Sequence, residues 1–504
     1  LLLKIALLLF SNNVSLLFFC GISFIILKRL SKFLYLLINS AAVFIPIPGT
    51  PGTLSDESPI KPRRSMIFSG STPHFSTTFS GVNMIGSGIF LLAGYAAAPV
   101  PNDVTLILAW IGGGLMALLG AFAIAELSTR FPETGGDFLY LHRVYGPFPA
   151  FLYGWMSLVI FESGSIAVLA LFSAKYTQQF FPASQILSVP LLASLLVLFF
   201  SGIHCLKVEV GSRFQSILTV AKILGIFLMV SLLFSGDPNE INSTTKTDQS
   251  GNPFIGFTRA LIPIFFAYTG WNVAGYIGGE IQNPRKTLPR ALIGGTLITT
   301  AIYVVVNLSF IQSVGLAGIQ GQDMAPLIPL KAVGAESWTT FLSILIFISV
   351  ASSLSITIQT AGARVIQAMG EQGVFFQFTA RLHRKFHTPV NALLVQAIWT
   401  VFLMFTLDIE SLVDSATVVM IMFSALSIST LFKVNYDRNG LKGNENIYRT
   451  PLFPLVPVAY ILSAIFVSWG VIQFYLPQGS LLPIRGLLFL LFGSIVYIIW
   501  KKMS

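Results

Sequence analysis

Two apolar stretches of this chain are interrupted at their middles by small or turn-forming residues. One is Gly86-Ser87-Gly88, in the run Asn83 to Phe90; the other is Thr269-Gly270, in the run Phe265 to Asn272. Backbone that leaves helical pairing inside hydrocarbon carries N–H and C=O groups that lipid cannot satisfy, so a break persists only where protein, water or a ligand supplies partners. Gly86 and Gly88 let a helix unwind and aim N–H groups at an anion such as a carboxylate, which the dipole of the following helix favours. Gly270, set among bulky aromatics, permits a turn whose carbonyls can take the protons of an ammonium group, with Phe266 or Trp271 as cover. Taken singly, each stretch has a plainer reading, as a close-packing surface of small residues or as packed aromatics. Taken together, interrupted helices at matching places in the chain point to a transporter's binding site near the bilayer midplane.

Two ionisable residues belong to the same chemistry. Lys222 falls about nine positions into an apolar run, roughly 13 Å from Arg213 at 1.5 Å per residue. That is deep for a lysine that reaches back to the interface, and a cation there costs roughly 2.5 to 3.5 kcal/mol to insert. It should face a cavity or a partner. Glu162 lies equally deep in another run, as either a proton-linked or substrate-tuning group or a member of a polar helix contact. Glu126 and Arg130, spaced i, i+4, and Glu280 before a loop read as inward-gate structure.

The elements that must hold these residues are membrane helices. Of 504 residues, 54% are hydrophobic and only 10% charged, against roughly 25% charged in soluble domains. Apolar runs long enough to cross a bilayer recur at about 81–99, 105–129, 148–174, 187–206, 213–235 and 257–279. Six more follow at about 289–313, 338–360, 390–407, 411–434, 452–476 and 483–500. The formal charge of +10 reports topology and not nucleic acid, because inward segments hold 17 Lys and Arg against 5 in outward ones. The positive-inside rule then places both ends of the twelve-span core in the cytoplasm.

Other classes find no support. Cys20 and Cys205 both sit in apolar sequence and form no disulfide framework, and the five histidines are scattered without metal or triad spacing. No cluster of acid, base and nucleophile suggests an enzyme. A sensor that binds without transporting would need a signalling domain or a partner-binding tail, and the chain ends a few residues after its last span. Residues 1 to about 75 read as an extension outside the functional module: apolar to 48, then a Pro-, Ser- and Thr-rich linker. The opening on Leu1 leaves open whether that extension is native.

Three stretches resemble the amino acid, polyamine and organocation transporter superfamily, nearest the L-type amino acid transporter branch: Gly86 to Phe90, Ala125 to Pro147, and Phe265 to Asn272 with its trailing Glu280 to Pro284. The resemblance implies an all-α polytopic fold of about twelve helices. Two inverted five-helix repeats of LeuT-like form, about 81–235 and 257–434, would be followed by two peripheral helices at about 452–500. It implies that backbone at Ser87, Gly88 and Ile89 binds the substrate carboxylate, with Gly86 enabling the break. Carbonyls of Phe266, Ala267 and Thr269 would hold the amino group, Phe266 would be the aromatic gate, and Trp271 and Asn272 would line the side-chain pocket. Lys222 would occupy the place that a sodium ion takes in other permeases.

The expected protein is therefore a sodium-independent permease of neutral L-amino acids in the plasma (inner) membrane, working by proton coupling or exchange and needing no cofactor. A cationic amino acid or polyamine antiporter is the alternative. The loop at about 175–187 lacks the cysteine by which animal L-type members join a glycoprotein subunit, so a single chain is expected.

Overall fold

In a computed structural model the described residues are 88–133, 135–206, 208–235, 252–276, 283–334, 336–386, 388–436, 447–475 and 482–503. All belong to the unit Thr77–Ser504. The extension, the first half of the first apolar run with Gly86 and Ser87, and Glu280 lie outside them. The described residues form helices and connecting turns, with no strand among them.

In chain order the helices are α1 (Gly88–Ala97), α2 (Asp103–Arg130), α3 (Gly136–Tyr145), α4 (Pro147–Met156), α5 (Glu162–Phe180), α6 (Val189–Cys205) and α7 (Val208–Ser235). Then come α8 (Pro253–Ala267), α9 (Val273–Tyr276), α10 (Pro284–Ile319), α11 (Leu327–Ala332), α12 (Glu336–Thr357), α13 (Ala363–Glu371), α14 (Val390–Thr406), α15 (Ile409–Tyr436), α16 (Leu455–Tyr475) and α17 (Leu482–Met503). Among the described residues, six helical stretches are long and apolar enough to cross a membrane, and shorter apolar helices such as α1, α6, α8 and α14 accompany them. The fold is that of an all-helical, multi-pass membrane protein.

Local chemistry sets several boundaries. Asn102 caps α2, its side chain accepting the Thr105 N–H at 2.9 Å, and Asn252 caps α8 through the Phe254 N–H. Proline stands at the start of α4, α8 and α10, where its missing N–H costs nothing. Buried hydroxyls pass their protons to carbonyls one turn back, as Ser165 does to Phe161 and Thr296 to Leu292, which satisfies them without a partner helix. Leu394, Ile398, Phe402 and Phe405 are exposed along one face of α14, as a lipid-facing stripe requires.

Two groupings emerge. α2 packs along α10 and α8, and α8 also packs on α1. The approach is close because α2 carries small residues there: a Cβ on Gly113 would lie 2.4 Å from Ile264, and one on Gly114 equally near Thr300. In the other group α5 packs against α12, α6 and α14. The stretch containing α4 and α5 is its most enclosed member, 94% buried over its most apolar window.

Both long members of that second group contain π-helical turns, Ser157–Phe161 between α4 and α5 and Ile358–Gly362 between α12 and α13. α14 contacts both: Trp399 donates to the Val159 carbonyl at 2.9 Å, and Gln396 presses on Gly362 so closely that a Cβ there would lie 1.6 Å from Nε2. The eighth apolar run, expected to end at 360, continues as helix to Glu371. The seventh, expected over 289–313, continues to Ile319 across a kink at Gly315. Length at these ends comes from packing against neighbouring helices, which hydropathy does not register.

On the face opposite the basic loops, the two groups are fastened together. Tyr95 at the end of α1 donates to Asp323 at 2.6 Å, and Lys175 on α5 pairs with the same carboxylate. The Gly321 N–H donates to the Gly94 carbonyl. Burial alone would raise the Asp323 pKa, but the hydrogen bonds from Lys175 and Tyr95 and the lysine's charge outweigh it and hold the group below its ordinary 3.8. A depressed carboxylate contributes stability above its unfolded value and loses it as pH falls through the folded one. In detergent, Asp323→Asn should therefore melt below wild type at pH 5 to 7, and the gap should close below about pH 4.

Candidate functional site

The sixth apolar run is broken where its sequence suggests. α8 stops at Ala267, and α9 begins at Val273. Gly270 between them has φ +96°, a left-handed value that favours glycine. Pro263, inside α8, has no N–H to give to the carbonyl of Arg259 one turn back, which loosens the helix just before it ends. The turn closes on itself, since Thr269 N–H and Oγ1 both donate to the Phe266 carbonyl and the Val273 N–H donates to that of Gly270.

Side chains from neighbouring helices complete the pairing. Tyr303 of α10 donates to the Ala267 carbonyl at 3.0 Å, and Tyr268 donates to that of Trp110 on α2. The rings of Trp110, Tyr268 and Tyr303 pack mutually, with centroids 5.0 to 6.1 Å apart. The carbonyls expected to hold an ammonium are thus already engaged at Phe266 and Ala267. The Ala267 carbonyl keeps a second lone pair for a ligand, whereas that of Phe266 already accepts twice.

The first and sixth runs meet at this break. A Cβ built on Gly88 would lie 2.4 Å from Ala267 Cα and 2.6 Å from its carbonyl oxygen, so glycine at 88 allows the two backbones to touch. Ile89 is fully buried and Phe266 nearly so. The structure therefore brings Gly88 together with Ala267.

Trp271 and Asn272 follow the break, and both meet residues of other helices. The Trp271 ring packs over Gly120 of α2 and against Tyr460 of α16, with ring centroids 6.0 Å apart. Asn272 Nδ2 donates to the Asp137 carboxylate at 2.9 Å and contacts Tyr276 Oη at 3.3 Å. The left-handed turn at Gly270 precedes both residues.

Asp137 is the centre of a buried group that sequence reasoning passed over. It also accepts from Tyr276 Oη at 2.8 Å, Tyr276 bonds Tyr153 Oη, and the Gly135 N–H donates to the Tyr276 carbonyl. The lower half of the broken helix is thereby tied to the short helix that follows α2. Glu162, buried immediately after the π turn, lies near enough to Asp137 for their charges to interact. The signal was present in Gly136-Asp137, a carboxylate inside a short apolar helix, but its partners are more than 120 residues away.

Lys222 is 1% exposed. Its ammonium has no hydrogen-bond partner among the described residues. It faces a narrow apolar gap with Phe90 of α1, Gly225 and Met229 of its own helix, and Leu342 and Ile346 of α12. It therefore stands between α1 and the second helix group. Glu126 makes the expected ion pair with Arg130 and accepts the Thr450 N–H at 2.8 Å. That bond anchors the segment leading into α16.

Comparison with known proteins assigns the family. The amino acid permease family pattern matches residues 74–499. The serine/threonine exchanger SteT of Bacillus subtilis (strain 168) is 28% identical over 401 residues, 78% of this chain and 89% of its own length. The b(0,+)-type amino acid transporter 1 of Mus musculus is 28% identical over 423 residues, covering 83% and 85%. The large neutral amino acids transporter small subunit 2 of Oryctolagus cuniculus is 26% identical over 402 residues, covering 77% and 74%. The chain belongs to the amino acid permease family, a family of transporters and not of enzymes.

Gly88→Ala should improve local helix propensity yet drive α1 and α8 apart. In reconstituted vesicles, amino acid uptake should fall on the order of 10- to 100-fold, as for other misplacements of about 1 Å at a reacting or binding centre. Membrane insertion, followed by surface labelling, should be retained.

Proposed function

From that membership, we propose that the chain is a sodium-independent permease of neutral L-amino acids in the plasma (inner) membrane, with both ends of its core in the cytoplasm. It works by alternating access, as twelve helices in two inverted five-helix repeats with two peripheral helices. The single observation that carries the reading is the backbone contact between Gly88 and Ala267 at the helix break. Substrate would bind there through its main chain: carboxylate at the N–H groups of Ser87, Gly88 and Ile89, after the turn at Gly86, and ammonium at the carbonyls of Phe266, Ala267 and Thr269, with Phe266 giving up a hydrogen bond from Thr269 to take it. Phe266 would cover it.

Lys222 supports sodium independence, because a buried ammonium between the first run and α12 supplies the positive charge that a bound cation would otherwise bring. Glu162 and Asp137 are assigned to the inward side. There, Asp137 would release Asn272 and Tyr276 when the lower half of the sixth helix swings, with Glu162 tuning the charge of that cluster. The packing groups suggest the moving parts. The spans containing α1, α2, α8 with α9, and α10 would rock against those containing α5, α6, α12 and α14. Serine, threonine and large neutral amino acids are named for two relatives, which favours neutral substrates, and the word exchanger for one of them favours exchange. We further propose that the chain works without a covalently attached glycoprotein, since 175–187 carries no cysteine.

Two measurements test this. Vesicles holding the full chain should take up a radiolabelled mixture of neutral L-amino acids without sodium, and Lys222→Ala should reduce that uptake by at least about tenfold, a 1.4 kcal/mol effect. Uptake that required sodium, or that survived the substitution intact, would remove the assigned role of Lys222. Asp137→Asn should shift the population toward inward-open forms, read as faster labelling of a cysteine placed at Ser128 from the cytoplasmic side; unchanged labelling would sink the inward-gate assignment.

A further inference from the structure

Away from the helix break, one exposed surface combines cations with apolar rings. The segment from Gln372 to Pro389, which joins α13 to α14, holds Arg381, Arg384 and Lys385 and no carboxylate. The last turn of α17 holds Lys501 and Lys502 beside Trp500, in a helix that also has no Asp or Glu. The Phe376 ring meets Trp500 edge to face with centroids 4.9 Å apart, and it meets Phe378 at 5.8 Å. Those rings bring the two basic runs to one place.

Neutral groups, and not these cations, shape the segment. Asn391 donates to the Phe378 carbonyl at 2.7 Å, Thr379 Oγ1 donates to that of Phe376, and the N–H groups of Lys385 and Phe386 both donate to His383 Nδ1. Arg381, Arg384, Lys385, Lys501 and Lys502 are all exposed, and none of the five pairs with a carboxylate among the described residues. Glu371, just before the segment, accepts from Gln367 instead. The surroundings decide which anion these cations suit. Leu488, Leu491, Phe492, Ile495, Ile498 and Ile499 are exposed along α17 at spacings of three and four, which makes one apolar face for hydrocarbon to cover. Another side of α17 packs on α4, where Trp155 donates to the Phe489 carbonyl. The apolar face runs directly into Trp500 and the two lysines, and Phe376, Phe378 and Leu382, 43 to 48% exposed, extend it past the helix end. Acyl chain, head-group border and phosphate are met in turn by aliphatic side chains, rings and cations. A soluble anion would match only the last.

We propose that Arg381, Arg384 and Lys385, together with Lys501 and Lys502, bind the head group of an anionic phospholipid whose acyl chains lie along the exposed face of α17. The guanidinium forks take the phosphate oxygens, and the lysines add charge from the helix end. The bound lipid joins α17 to the segment between α13 and α14. In the orientation proposed above this face meets the cytoplasmic leaflet, where anionic lipids are concentrated.

The test uses the purified full chain in a non-ionic detergent, where both faces are accessible and transport is not needed. Short-chain phosphatidylglycerol, short-chain phosphatidylcholine and glycerol 3-phosphate are the probes, with binding read by titration calorimetry. Two site variants, Arg381→Gln/Arg384→Gln/Lys385→Gln and Lys501→Gln/Lys502→Gln, are compared with Arg285→Gln/Lys286→Gln, which removes cations from another basic loop. Wild type should bind phosphatidylglycerol at least about tenfold more tightly than phosphatidylcholine. Each site variant should lose that preference to within about twofold, and the control should keep it. Melting curves without lipid should coincide for all four proteins, which establishes that the variants are folded. Equal binding of the two lipids by wild type, a preference retained in either site variant, or the same loss in the control would overturn the site. Binding of glycerol 3-phosphate as tight as that of phosphatidylglycerol would also overturn it, because the anion would then be recognised without its chains.

Discussion

Unpaired backbone polar groups cannot rest against hydrocarbon, and the architecture around Ala267 to Val273 follows from that constraint. A helix that stops in mid-membrane needs donors and acceptors at its loose ends, so α10 contributes the Tyr303 hydroxyl and the turn contributes Thr269. Those contributions require α2, α8 and α10 to lie within side-chain reach of one another. Small residues on α2 permit it. The aromatic trio of Trp110, Tyr268 and Tyr303 then excludes lipid and water alike, so that each remaining acceptor keeps its strength for a ligand. Closeness of packing and availability of the site are two aspects of one arrangement.

That arrangement is anchored at both ends by charge. Near one end of the helices, Asp323 joins α1 to α5 through Tyr95 and Lys175. Beyond the break, Asp137 joins α9 to α3 through Asn272 and Tyr276. Each carboxylate spans a boundary between elements that alternating access would move relative to one another. Both fastenings are made together in this structure.

Much of this was legible in the residues. Gly270 announced the break because few other residues accept φ near +96°, and the depth of Lys222 in its apolar run announced a buried cation. The all-helical, multi-pass class was legible because apolar length and charge scarcity have no other common reading. What was not legible depends on contacts between distant residues. Nothing local tells that Asp137 will meet Asn272 and Tyr276, since the relevant spacing is 135 and 139 residues. Nor does anything local tell that the Trp271 ring will meet Gly120 and Tyr460.

The two π turns carry a consequence for how the chain can vary. A π turn holds one residue more than an α turn and leaves a carbonyl out of the ladder; α14 meets both turns, through the Trp399 bond to the Val159 carbonyl and through the close approach of Gln396 to Gly362. Those two side chains are three positions apart, on one face of a single helix. Any side chain at 362 would collide with Gln396, and loss of Trp399 would strand the Val159 carbonyl. Substitutions on α14 and within the two π turns are therefore bound to one another across relatives of this chain: a smaller residue at 396 is the precondition for a side chain at 362, and an ordinary α turn at 157–161 removes the need for a donor at 399.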